Sequence, residues 1–260
     1  MKKLMMMSLV ALLAMSSCVL NPMNMTSNND TPTQVHDPGQ ATEMGTFKKV
    51  NVAGPFNVIY ENGDAHTVRV DGTAEQMEKT TIYVEDDELY IDVTNYQWPR
   101  DKNLFEGMRI FVSSPLAKEL KITGSGSLTA PKAITAEDLK MKVAGSGDIT
   151  IAQLTCGEMS IKIAGSGDVT TGPIQATNVS AEIAGSGDID ITGLTCKDLS
   201  NRIAGSGDMK FSNLDVENVK TSVAGSGDVI LSGKAGKQEQ SIAGSGSVDI
   251  SGLKITGTAN

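Results

Sequence analysis

A three-residue motif, Gly-Ser-Gly, occurs seven times between residues 124 and 246 of this 260-residue chain. Self-similarity at a period of about 20 residues is typical of solenoids, in which each repeat buries its apolar edge against its neighbours. Because glycine permits the positive φ of a tight turn, we predict that each motif forms a turn between strands. The first glycines of the seven copies are Gly124, Gly145, Gly165, Gly185, Gly205, Gly225 and Gly244.

Residues on both sides of each motif alternate between apolar and polar. Leu139, Met141 and Val143 precede one copy, and a lysine separates each pair. This alternation predicts strands with one buried face. Apolar residues in register from repeat to repeat require parallel stacking, which favours a parallel β-solenoid over an array of two-stranded hairpins. One such column contains Val143, Ile163, Ile183, Ile203 and Val223.

The same register predicts the state of two cysteines. Cys156 and Cys196 occupy one column, with Ala176 between them. Two coils at a strand spacing of ~4.8 Å separate them by roughly 9.6 Å, which exceeds the ~7 Å limit on the Cα separation of a disulfide. We therefore expect two free, buried thiols, even in an oxidising compartment.

The N-terminus has the features of an export signal. Lys2 and Lys3 precede an apolar run, Leu4–Met15, that is too short to cross a bilayer as a helix. Two serines then precede Cys18, which resembles the lipobox of bacterial lipoproteins, where the cysteine is lipidated and becomes the first mature residue. We predict a lipoprotein signal peptide over residues 1–18 and acyl chains on Cys18 that anchor the protein to a membrane. An ordinary secretory signal cut nearby would instead leave a free thiol.

Three further segments follow the signal. Residues 19–41 are rich in Asn, Thr, Pro, Met and Gln without periodicity, which predicts a flexible tether. Residues 42–123 lack the motif but alternate as strands do, so we interpret them as irregular N-terminal β coils of the same solenoid. A small separate β domain is the alternative interpretation. We predict that residues 124–260 form the regular Gly-Ser-Gly solenoid.

Two segments besides the repeats carry a family resemblance: Gly54–Val58 and Ser114–Gly126. Together with the Ala-Gly-Ser-Gly-Asp repeats, they resemble the head GIN domain family of putative auto-transporter adhesins, over residues 46–250. The resemblance implies an all-β fold, a right-handed parallel β-helix related in shape to pectin lyases, with the Gly-Ser-Gly turns linking its sheets. It also implies a role in adhesion. The family has no established catalytic motif, so the resemblance assigns no catalytic residue.

An aspartate follows five of the motifs and forms the sharpest candidate site. Carboxylates one coil apart repel unless they are hydrogen-bonded, neutralised or solvated. A calcium-binding solenoid is one interpretation, but the Gly-Gly-x-Gly-x-Asp calcium roll has a period of about nine residues. We expect instead that each side chain accepts backbone N–H bonds at its own turn, with no metal. The five are Asp148, Asp168, Asp188, Asp208 and Asp228.

Composition constrains the function class. The net charge of −9 argues against nucleic acid as a partner. Because β-helices often host polysaccharide lyases and hydrolases, a carbohydrate-active enzyme is the second function class, although fold alone does not establish it. The repeats contain no histidine, only His66 lies in the folded region, and Asp86 with Asp87 is typical of a solvated turn. We therefore predict a non-enzymatic structural or adhesion module without a cofactor.

Partners follow from the remaining features. Tyr96, Trp98 and Arg100 lie in a proline-containing stretch and form the candidate ligand loop; a cap or a packed loop is the alternative. Open solenoid ends expose strand edges, so capping or homo-oligomerisation is expected. The predicted location is the cell envelope, as an outer-membrane lipoprotein. The sequence does not distinguish the periplasmic face of that membrane from the cell surface. The predicted partners are the membrane, through the lipid, and a glycan or a protein of the envelope or host surface.

Overall fold

The computed structural model describes residues 35, 38–95, 97 and 103–257. The predicted signal peptide, Cys18 and the candidate ligand loop of Tyr96, Trp98 and Arg100 lie outside the described residues. Within them, strands dominate, and one helix of five residues is present. No helix among the described residues has the length and hydropathy needed to cross a bilayer.

The part of the chain before the repeats forms seven of the described strands and the helix. In chain order they are β1 (Ala41–Glu43), β2 (Lys49–Ala53), β3 (Asn57–Asn62), β4 (Thr67–Asp71), α1 (Ala74–Glu78), β5 (Thr80–Glu85), β6 (Glu88–Val93) and β7 (Arg109–Ser114).

The repeats form the other thirteen described strands. They are β8 (Glu119–Gly124), β9 (Ser127–Thr135), β10 (Asp138–Gly145), β11 (Asp148–Thr155), β12 (Glu158–Gly165), β13 (Val169–Thr171), β14 (Ile174–Gln175), β15 (Asn178–Gly185), β16 (Ile189–Ile191), β17 (Leu194–Gly205), β18 (Met209–Gly225), β19 (Val229–Gly244) and β20 (Val248–Ile255).

Each repeat forms one coil with three strand segments. In one coil β12 leads to the Gly-Ser-Gly turn, and β13 and β14 return the chain to the start of the next coil. β12 pairs in parallel with β15, β13 with β16, and β14 with β17. Every partner lies 20 residues away, as in the pair Met159 and Val179. The predicted parallel β-solenoid with coils of about 20 residues is therefore confirmed.

The turn requires glycine at two positions, the first and the last of the motif. The first glycine of each motif has a φ between 129° and 151°, a region that side chains disfavour. The last glycine lies against the backbone of the preceding coil: a Cβ built on Gly187 would lie 2.0 Å from the carbonyl oxygen of Gly167. The motif is thus a corner at which successive backbones approach too closely for any side chain.

The strands before the repeats extend the same stack, but in a different spatial order. β2 lies between β6 and β8, and β3 lies between β7 and β9, all in parallel pairs. The earliest coil in the chain is therefore inserted between two later ones. One hydrophobic core runs from Val35 to Ala235 through both parts.

The folded chain begins earlier than the predicted tether allows. Val35 is buried against the core, and the backbone N–H of Gly39 donates to the carbonyl oxygen of Val70 at 2.7 Å. Ala41 already belongs to β1. The polar composition of residues 19–41 predicted a flexible tether, but the apolar side chain of Val35 packs on the core and Ala41 lies in a strand.

The two ends of the stack differ. At one end, β5 pairs with β6, β4 with β7 and β1 with β4, all antiparallel, so the strand direction reverses. At the other end β19 and β20 form the last coil. There Gln238 and Gln240 stand opposite the core residues Val219 and Thr221, and Ile242 is 42% exposed. One end is closed by antiparallel strands, and the other presents a strand edge and part of its core.

Candidate functional site

The five aspartates after the motifs stack into a ladder along one corner of the solenoid. Oδ1 of Asp148 accepts a hydrogen bond from the backbone N–H of Asp168 at 3.0 Å, and the same bond recurs from coil to coil. At the last of the five aspartates, Oδ1 of Asp228 accepts hydrogen bonds from both the backbone N–H and the hydroxyl of Ser247. The sequence predicted bonds within each turn; the donor instead belongs to the next coil, because the aspartates are in register one strand spacing apart.

This arrangement makes the ladder a clamp between coils. One oxygen of each carboxylate is used in holding the next turn, and the side chains are exposed to solvent. Among the described residues, no group of three or more His, Cys, Asp or Glu side chains has a metal-binding arrangement. Hydrogen bonding and solvation therefore explain how carboxylates one coil apart can stack despite their like charges.

A groove of about 530 Å³ crosses five coils on the outer face of β12, β15, β17, β18 and β19, and we name it the axial groove. It lies where each coil enters its first long strand. Because strand residues alternate, two outward columns line it. The first column contains Glu158, Asn178, Asp198, Asn218 and Lys237, and the second contains Ser180, Ser200, Lys220 and Glu239.

Hydrogen bonds organise the first column into acid–amide pairs. Nδ2 of Asn178 donates to Oε1 of Glu158 at 2.7 Å, and Nδ2 of Asn218 donates to Oδ1 of Asp198 at the same distance. Oδ1 of Asn178 is buried without a hydrogen-bond partner in the described part of the chain. The pairs use one oxygen of each carboxylate and leave the other without a hydrogen bond to a described residue.

Sequence reasoning missed the axial groove. The outward polar residues of the repeats looked scattered because they differ in kind from one repeat to the next. In the stack, however, residues 20 positions apart become neighbours, so Ser180 and Ser200 lie side by side. Stacking the repeats by their outward positions, as was done for the apolar ones, is the signal that could have found these columns.

The two cysteines are free and buried, as predicted. Burial raises the pKa of Cys156 to about 11, with smaller contributions from Asp138 and Glu158. Burial likewise raises the pKa of Cys196 to about 12, assisted by Asp198. Both thiols stay protonated at neutral pH, so they pack as small apolar groups and are not activated as nucleophiles.

The other residues considered for catalysis have structural roles. Nδ1 of His66 accepts the backbone N–H of Phe47 at 3.3 Å, and the two rings meet edge to face with centroids 4.9 Å apart. Asp86 and Asp87 form the turn between β5 and β6 with φ of 49° and 60°. The histidine supports the fold, and the acidic pair makes a hairpin turn of the kind that aspartate tolerates.

A sequence model for the family described as "Putative auto-transporter adhesin, head GIN domain" matches residues 46–213 and 198–259. The chain belongs to this family. The resemblance in Gly54–Val58, Ser114–Gly126 and the repeats is thereby confirmed. No curated protein sequence matches the chain.

Solved structures share the solenoid fold of this chain. A putative adhesin from Bacteroides fragilis has a TM-score of 0.73 at 21% identity, covering 81% of this chain and 94% of that one. A putative lipid binding protein from Parabacteroides distasonis has a TM-score of 0.69 at 23% identity, covering 88% and 98%. A putative adhesin from the same species has a TM-score of 0.61 at 22% identity, covering 82% and 98%. At these identities the likeness establishes the fold.

Proposed function

We propose that this chain is a lipid-anchored protein of the cell envelope whose solenoid serves as a non-enzymatic adhesion module. The observation that carries the proposal is the family match, which covers residues 46–259 and belongs to a family described as adhesins. The axial groove supplies a contact surface, since nine polar side chains from five coils face one trough. A rigid solenoid presents such a surface without a conformational change on binding.

Three observations support binding without catalysis. The family and the solved relatives are described as adhesins or a binding protein. The pKa values of both thiols are raised by burial, so neither is an activated nucleophile. The ring of His66 is engaged with Phe47 in the fold. An acid–base mechanism needs groups that converge on a substrate, and these side chains serve the fold.

Attachment through Cys18 is the second element of the proposal. The motif Ser-Ser-Cys after the apolar run supports lipidation, and several acyl chains hold a protein on a membrane stably. The outer membrane is the proposed location, and a glycan or a protein of the envelope or host surface is the proposed partner. A second copy meeting the open end of β19 and β20 remains a prediction from the exposed strand edges.

Metabolic labelling with a palmitate analogue tests the anchor. The wild-type chain is expected to carry the label and to sediment with membranes, whereas Cys18→Ser is expected to lose both properties. Protease treatment of intact cells then distinguishes the surface from the periplasm. An unlabelled wild-type chain that stays in the soluble fraction would contradict the lipoprotein proposal.

Adhesion is tested with the Cys18→Ser chain carrying a fluorescent dye instead of the palmitate label. Its binding to intact bacterial cells and to cultured epithelial monolayers is measured. We expect saturable binding to one of these surfaces and no increase in reducing sugar ends in the supernatant. Release of reducing ends that grows with protein concentration would show a carbohydrate-active enzyme. If the chain shows saturable binding to neither surface, the adhesion proposal is contradicted.

A further inference from the structure

Every coil that the axial groove crosses contributes polar side chains to its lining. This regular supply of polar groups indicates what shape of ligand the groove can bind. Its lining side chains recur once per coil from Glu158 to Lys237. Four intervals at a strand spacing of ~4.8 Å give a length of roughly 19 Å. A ligand that uses the whole groove is therefore an extended chain whose own hydrogen-bonding groups recur along it.

The groups that face the groove match hydroxyls. The Ser180 and Ser200 side chains make no hydrogen bond to any described residue, and a serine hydroxyl both donates and accepts. The carboxylates of Glu158 and Asp198 each keep one oxygen without a hydrogen bond to a described residue, and that oxygen can accept from a ligand. A ligand hydroxyl matches these groups because it both donates and accepts.

An acyl chain does not match this lining. The apolar residues along the groove floor, such as Met159, Val179 and Leu199, direct their side chains into the core and are only 2% exposed. Their backbones and the polar columns form the surface instead. An acyl chain would desolvate these polar groups without replacing their hydrogen bonds.

The charges in the groove nearly cancel. Glu158, Asp198 and Glu239 contribute carboxylates, while Lys220 and Lys237 contribute ammonium groups. The carboxylates lie in the first, third and fifth coils and the lysines in the fourth and fifth, so a polyanion or a polycation that spans the whole groove meets like charges as well as opposite ones. The lining therefore favours a neutral polymer.

We infer that the axial groove binds one extended chain of a neutral polysaccharide aligned with the solenoid axis. The inference rests on the proposed adhesion function and names the ligand class of that module. Affinity rises with oligosaccharide length until the chain spans the five coils, because each coil adds further hydrogen-bonding side chains. Longer chains then gain no further contact.

The test uses electrophoresis of the full chain, with Cys18→Ser to prevent lipidation, through gels containing dextran, galactomannan or xylan. Retardation by at least one of these neutral polysaccharides is expected. The double variant Ser180→Ile/Ser200→Ile fills the groove and removes both hydroxyls, so affinity is expected to fall about ten-fold or more. Isoleucine suits an exposed strand and offers no aromatic face for sugar stacking.

Thr150→Ile/Thr170→Ile is the matched control. These two threonines are exposed, pair with each other on β11 and β13, and lie outside the groove. The control is expected to keep wild-type retardation and a wild-type melting curve. Should the isoleucine variant fold poorly, Ser180→Ala/Ser200→Ala removes the hydroxyls without added bulk, and a smaller loss of affinity is expected.

Each contrary result has a distinct meaning. Unchanged retardation of both serine variants, or equal losses in the serine and threonine variants, overturns the groove as the site and leaves adhesion standing. Binding to alginate, or to phosphatidylcholine–phosphatidylglycerol vesicles, in the absence of retardation by any neutral polysaccharide overturns the ligand class. Saturable binding to cells that neutral polysaccharides fail to inhibit points to a protein partner and also overturns it.

Discussion

The regular repeats and the strands before them build one stack of coils, but they differ in the order of their coils and in the residues that fill the core. From β10 onward, each coil of the repeats pairs only with its neighbours in the chain, and the interior columns are mainly aliphatic. In the earlier part, the coil of β2 and β3 is inserted between later strands, and the buried aromatics Phe47, Phe56, Tyr60 and Phe105 fill the core. The difference shows that repeats extend the stack, whereas the non-repetitive strands close one of its ends.

The largest effect is expected at an aromatic residue of the earlier part. Phe56 is fully buried and meets Phe105 edge to face with ring centroids 4.9 Å apart. Phe56→Ala is expected to lower the free energy of unfolding by about 5 kcal/mol, from the cavity and the lost ring pair. Denaturant unfolding followed by circular dichroism measures the change.

Phe211→Ala is the matched change inside the repeats. Phe211 is fully buried between the aliphatic Ile191 and Leu231. It is expected to cost about 4 kcal/mol, since a cavity forms but no ring pair is lost. A loss at Phe211 that exceeds the loss at Phe56 would contradict the view that the earlier part depends on specific aromatic contacts.

The next largest effect is expected at a Gly-Ser-Gly corner. Gly187→Ala places a Cβ 2.0 Å from the carbonyl oxygen of Gly167, and neither backbone can move without disturbing its coil. We expect a loss of about 3 kcal/mol in the free energy of unfolding. In the control Gly193→Ala the nearest atom is 3.5 Å away, in Pro173, so its melting temperature is expected to stay near wild type. Equal losses of stability in the two variants would show that the close approach of successive backbones does not explain the glycines of the motif.

A stabilising change is expected inside the repeats near the open end. Thr221 is 1% exposed, stands opposite Asn201, and its hydroxyl has no hydrogen-bond partner among the described residues. Thr221→Val keeps the shape and removes the buried polar group, so it is expected to raise stability by about 1 kcal/mol. Thr150→Val, on the exposed face, should change little. A drop in melting temperature for Thr221→Val would show that an ordered water or another partner satisfies the hydroxyl.

The smallest effect is expected in the aspartate ladder. Asp188→Ala removes the acceptor of the 2.8 Å bond from the backbone N–H of Asp208. Because the site is exposed and water can replace the carboxylate, the expected loss is about 0.5 kcal/mol. Asp190→Ala, two residues along and without a hydrogen bond to any described residue, should have no effect. A calcium-dependent rise in melting temperature that Asp188→Ala abolishes would contradict the clamp and restore the metal interpretation.

Much of the repeat part could be predicted because its contacts follow from its period. Residues 20 positions apart are neighbours in a stack, so the interior columns and the separation of Cys156 and Cys196 follow from counting. The partner of each aspartate does not follow, because a side chain at a corner can reach its own turn or the adjacent one. The end of the tether was also mispredicted, since the burial of Val35 depends on a surface formed by distant strands.

The sequence by itself determined the strand alternation, the coil length, the glycine corners and the state of the cysteines, because each depends on local periodicity or on one repeat interval. Only the tertiary structure decided that the first coil lies between later ones, that one end is closed by antiparallel strands, and that unlike polar residues align into the axial groove. These features depend on pairings between segments without a shared pattern. Their free energy comes from contacts that no local repeat encodes.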